Sequence, residues 1–166
     1  ESGINLGTLQ LEMGERKEAE KVLREANGIM EQLVADHPGI RSFTFTLGVS
    51  YRFLAELAVD GLVDREEKEL SQETRLLFEK SLEIQELLVK EQSEVPSYAA
   101  TLAKTYEAFA SALLIVGNEE EAGEYLSKAT TKYLRNIELG ERLVKEAPDD
   151  FEKSLFLFNT YKELGQ

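Results

Sequence analysis

The chain has 166 residues, 42% apolar and 31% charged, with no Cys, one His and three Pro; 32 Asp and Glu against 19 Lys and Arg give a formal charge of −13. At this length one core or one short repeat array buries enough surface to stand without staples, and the composition is that of a folded chain and not a disordered one. The lack of Cys excludes a disulfide framework, a thiol nucleophile and Cys-ligated metal centres, and fits a reducing, cytoplasmic setting.

Apolar residues recur at helical spacing nearly everywhere, as at Leu23, Ala26, Met30, Leu33 and Val34, or Leu102, Tyr106, Phe109, Ala110 and Leu113. Pro38, Pro96 and Pro148 each follow a charged helical segment and precede a new apolar-periodic one, as expected of helix–helix connections; Gly14, Gly61 and Gly117 supply the other breaks. In chain order these predict seven helices, over 1–13, 15–36, 40–60, 66–92, 96–116, 119–146 and 149–166. The one β-flavoured run, Phe43-Thr44-Phe45-Thr46-Leu47, leads without a breaker into Tyr51, Leu54 and Ala58 and is read as helix. The fold class is all-α.

A repeat organises these helices. Leu33-Val34 recurs as Leu88-Val89 and Leu143-Val144, Tyr51 as Tyr106 and Tyr161, and Ile29 as Ile84 and Leu139, each time 55 residues on. The first-helix pattern reads Tyr51-x2-Leu54-Ala55, Tyr106-x2-Phe109-Ala110 and Tyr161-x2-Leu164-Gly165, with a truncated Leu6-Gly7 at the start. The second-helix pattern reads Ala19-x3-Leu23-x2-Ala26 and Ala122-x3-Leu126-x2-Ala129, with a weaker Thr74-x3-Phe78-x2-Ser81 between them. Small residues let paired helices cross closely while bulky ones fill the gaps between units.

This pattern resembles the tetratricopeptide repeat. The resemblance implies a single right-handed superhelical array of antiparallel helix pairs, with units over 1–38, 39–95 and 96–148 and a half-unit over 149–166. The usual unit has about 34 residues. These are longer, because an insert falls near Val63–Ser71 in one unit and within the second helix of the next. Long second helices of this kind are similar to the arrays of bacterial multidomain and kinase-associated proteins and of kinesin light chain. Glu1 in place of an initiator Met fits a segment excised from a longer protein.

The residue types that carry catalysis do not converge. His37 stands in a predicted turn with no second His, so it is expected to be an exposed connector. No Glu-x-x-His pair, Gly-x-Ser-x-Gly element or Gly-rich phosphate loop is present, so neither enzyme activity nor a metal or cofactor is expected. Glu66-Glu67, Glu119-Glu120-Glu121 and Asp149-Asp150 are expected in first helical turns, where they complement the helix dipole. Tyr51, Tyr106, Phe109, Tyr125, Tyr133 and Tyr161 are expected to pack between units. No apolar run approaches a membrane span, the first residues show neither the basic start nor the apolar run of a signal peptide, and the acidity disfavours nucleic acid and anionic lipid.

What remains is a surface. In tetratricopeptide arrays the first helices line a concave groove for a peptide. Transferred by alignment, its residues would be Thr8, Leu11 and Glu12, then Arg52, Phe53, Glu56 and Asp60, then Lys104, Glu107, Ser111 and Ile115, and finally Asn159 and Lys162. Mixed charge with one exposed aromatic would suit a protein or peptide having an apolar anchor and basic flanks. The family's carboxylate-gripping subset needs Lys, Arg and Asn where this chain has Ile4, Thr8, Phe53, Lys104 and Ala108, so only Lys104 fits that mode. The expected function is therefore a non-catalytic interaction module, with self-association through uncapped repeat ends, or service as the regulatory segment of a serine/threonine kinase-type signalling protein, as the alternatives.

Overall fold

The computed structural model describes Leu9, Met13 and residues 15–60, 69–147 and 149–164. Its elements are six α-helices, with no strand among the described residues: α1 (Arg16–Asp36), α2 (Arg41–Asp60), α3 (Gln72–Glu91), α4 (Pro96–Ile115), α5 (Glu119–Glu146) and α6 (Phe151–Leu164). The predicted helix over 1–13 lies outside the described residues apart from Leu9 and Met13, as do Gly14, Gly61, Glu66, Glu67 and Pro148.

Two local readings can be compared with the structure directly. The run Phe43–Leu47 is helical, since Phe43 and Leu47 fall on one face of α2 and Thr46 satisfies its hydroxyl on the Ser42 carbonyl at 2.8 Å. The helix predicted from residue 66 starts instead at Gln72, because the Ser71 hydroxyl accepts from the Thr74 N–H at 3.1 Å and so fixes the N-terminus of α3.

The turn from second helix to first helix is the same object three times. His37, Gln92 and Ala147 end α1, α3 and α5 at φ/ψ of −134/62, −135/62 and −142/77, each donating its N–H to the carbonyl four residues back. Ile40, Val95 and Asp150 then donate to the carbonyls of those same three residues at 3.0–3.1 Å. Pro38 sits within the first copy, whereas Pro96 opens α4 at a position that needs no N–H donor. The α4–α5 connection is different: Gly117 takes φ +80, which a side chain would resist, and Asn118 caps α5 by accepting from the Glu121 N–H at 3.3 Å.

Each helix packs on the next one in the chain, and α2 also reaches α4, where Phe45 and Tyr98 stand 5.2 Å apart. The main core runs from α2 to α5 and is centred on Phe78 and Phe109, stacked at 4.7 Å, with Tyr125 against Phe109 at 4.6 Å. Ala19, Ala55, Ala110 and Ala122 are fully buried, as close crossings require. Leu126, expected with them, is exposed; Tyr125 takes the inward place beside Phe109. The helix α5 has 28 residues against 20 for α3, which locates the second insert as about two added turns. Against α5, α6 sits close only because residue 140 is glycine: a Cβ there would stand 2.9 Å from Leu157.

Candidate interaction surfaces

Thr8, Leu11 and Glu12 lie outside the described residues. The remaining first-helix candidates are on α2, α4 and α6, and several are already engaged. Arg52 donates to Glu56 at 2.7 Å and lies 4.6 Å above the Phe53 ring. Phe53 is half-buried against Leu23, Leu54 and Leu57, not exposed as its sequence position suggests. Glu107 accepts from the Tyr133 hydroxyl at 2.7 Å. Asp60, Lys104, Ser111, Ile115, Asn159 and Lys162 are exposed. None of the described candidates lines the four clefts treated below.

The tyrosine of each first helix reaches back to the preceding second helix. Tyr51 donates to Glu31, Tyr106 to Glu86 at 2.6 Å and Tyr161 to Glu141, three bonds with the same separation of 20 residues. From the other side the next second helix lays a lysine on the ring: Lys80 over Tyr51 at 5.0 Å and Lys128 over Tyr106 at 5.9 Å. Burial, and then the bond to Glu31, pushes the Tyr51 hydroxyl up to about 12. The Tyr106 hydroxyl is raised by the same two causes, with Glu86 as partner. Tyr161 makes the bond without the cover: it is 47% exposed, where packing between units was expected, because no helix among the described residues follows α6 to enclose it.

Sequence reading missed a buried polar chain. Thr105 donates to Gln85 at 2.8 Å, Gln85 to Ser81 at 2.9 Å, and Ser81 to the Gly48 carbonyl at 2.7 Å, joining α4, α3 and α2 through the core. Ser50 and Asn27 make the corresponding link from α2 to α1 at 2.7 Å. The signal was available in the recurrence of Ser50, Thr105 and Thr160 at 55-residue spacing, all three buried.

Four clefts among the described residues lie between second helices. A cleft of about 310 Å3 between α1 and α3 is spanned by Arg24, which meets Glu73 at 3.0 Å. Between α3 and α5 lie clefts of about 510 and 410 Å3 that share Glu86 and Lys90 and so form one trough, and a smaller one of about 150 Å3 follows. The Glu121 carboxyl, at the trough's upper end, is held below its usual range chiefly by the Arg75 guanidinium, which grips both its oxygens at 2.6 and 3.0 Å. Glu121 thus does more than complement a helix dipole, whereas Asp150 caps α6 by accepting from the Glu152 and Lys153 N–H groups.

His37 is exposed in its turn, edge-on to Phe43 at 6.2 Å. Among the described residues no group of three or more His, Asp or Glu is placed to hold a metal ion. No described helix is long and apolar enough to cross a membrane. No family model, curated protein or solved structure matches the chain.

Proposed function

We propose that this chain is a non-catalytic protein-interaction module, a tetratricopeptide-like right-handed superhelical array that takes a peptide or protein partner on the face of its first helices. The observation that carries the reading is the repeated junction: one turn, one tyrosine–glutamate bond and one register, recurring every 55 residues. A fold assembled from repeats grows by stacking and presents long faces for recognition, without a closed pocket for chemistry. The excess of carboxylates favours a basic or neutral partner over nucleic acid or an anionic membrane. A reducing, cytoplasmic setting and a place beside a serine/threonine kinase-type domain belong to the same proposal and rest on the Cys-free composition and the resemblance.

Selection of a random peptide library on the intact chain tests the first-helix face. A selected peptide should lose about tenfold or more in affinity when Lys104→Glu and Ile115→Asp are combined, a loss of about 1.4 kcal/mol or more. Selected peptides indifferent to that pair would remove the groove from the proposal.

A second reading, self-association, draws on α6. Phe151 and Phe158 are 76% and 64% exposed, and Leu155 and Tyr161 share their side of the helix. Sedimentation over a range of concentrations should then show a dimer that Phe151→Asp with Phe158→Asp abolishes. A single monomer mass throughout would end that reading.

A further inference from the structure

The α3–α5 trough is clamped at its ends and open between them. Arg75 grips Glu121 at one end, and Arg142 pairs with Glu94 at the other. Between the clamps α3 presents Glu79, Glu83 and Glu86, while α5 presents Lys128, Lys132 and Arg135; toward the Arg142 clamp the signs exchange, with Lys90 on α3 and Glu138 on α5. No ion pair joins these two sets among the described residues. Opposed walls of this kind would be expected to close, as Arg24 closes on Glu73 between α1 and α3. They are held apart by the Tyr106 and Tyr125 rings, 5.9 Å from one another, and Lys128 turns onto both rings instead of crossing to a carboxylate.

We propose that this trough docks an amphipathic helix of a partner protein, one with an apolar stripe flanked by basic residues on one side and acidic residues on the other. Both walls carry their charges at i, i+4 and i+7, the spacing of one helix face, over about two helical turns. An incoming helix has the same spacing and can stay in register with both walls; an extended strand also shows side chains to both sides, but its repeat of about 6.6 Å on each side drifts from the wall charges, which rise by about 4.5–6 Å. Leu82 and Tyr125 line the floor, and Leu87, 50% exposed on the same cleft, offers a seat for the apolar stripe. The α3 carboxylates repel a phosphate backbone that the α5 cations alone would attract, so the paired walls select a peptide with both signs. This surface is built from second helices, so it can fail while the first-helix face succeeds, and the converse.

The test uses the full chain and three labelled helical peptides of about 16 residues, roughly 24 Å long. All three carry the same Leu stripe, with flanks of Lys and Glu, of Lys alone, or of Glu alone. Fluorescence anisotropy should show the mixed-flank peptide binding at least about tenfold more tightly than either single-sign peptide. The surface pair Lys132→Glu and Arg135→Glu should reverse that order in favour of the all-Lys peptide, with the circular dichroism spectrum unchanged. Absence of binding by the unaltered chain, or equal affinity of both proteins for the mixed peptide, would overturn the proposal. So would a change in the chain's own sedimentation by Glu79→Lys with Glu83→Lys that leaves peptide affinity untouched, since the occupant would then be a second copy.

Discussion

The α3–α4 and α5–α6 junctions are built from the same parts and end in different environments. Both use the same turn and both place a first-helix tyrosine on a glutamate 20 residues earlier. Tyr106 is 4% exposed because α5 covers it, while Tyr161, which no described helix covers in that way, is 47% exposed. The bond is therefore a local property of two helices and their turn, whereas its worth is set by the helix that arrives next. In a repeat fold the geometry of a unit is written in that unit, and the energy is shared with its neighbour.

Substitutions can break or sharpen this comparison. The largest effect is expected from Phe109→Ala, since Phe109 is fully buried between Phe78 and Tyr125; chemical denaturation should show a loss of about 3–5 kcal/mol. Gly140→Leu should act at the other end, overpacking against Leu157 and Phe156 at a cost of about 1–3 kcal/mol. Hydrogen exchange should place that loss in α6 and leave α3 and α4 protected. Tyr106→Phe removes a bond to a buried hydroxyl and should cost about 1 kcal/mol.

A pH titration reads the same device without disturbing packing. Below pH 10 Tyr51 is protonated whether folded or unfolded, so its full contribution is present. Above pH 10 the unfolded chain ionises first, and stability falls until the folded hydroxyl titrates at about 12. Tyr51→Phe should make the fall of the midpoint between pH 10 and about 12 shallower by one group's share, while Tyr106, raised in the same way, keeps its own. The smallest effect belongs to Tyr161→Phe, for which no resolvable change in the unfolding midpoint is expected; a loss as large as that of Tyr106→Phe would mean that α6 is covered in solution.

Much of this was legible in the sequence, because helical periodicity and a fixed 55-residue interval are both local signals. The pattern gave the six described helices, the position of the two-turn insert in α5 and the burial of Tyr51, Tyr106 and Phe109. It misjudged Phe53 and Tyr161, whose exposure depends on what packs over them and not on their own helix. Ile29 and Leu139 make the same point: they share a repeat position, yet one is exposed and the other buried. The Thr105–Gln85–Ser81 chain escaped notice because polar residues at core positions interrupt the apolar pattern that reading relies on. The trough escaped it too, since its two walls come from helices that never touch in sequence.

The repeated turn has a consequence for how such a chain can change length. Residues 48 and 103 occupy equivalent places, so excision of residues 49–103 joins Gly48 to Lys104 within one uninterrupted helix and creates no new loop. In the shortened protein Thr105 inherits the place of Ser50 beside Asn27, and Tyr106 that of Tyr51 opposite Glu31. A recombination event inside a helix can in this way remove one unit, trough included, and leave both flanking junctions with partners already of the right kind.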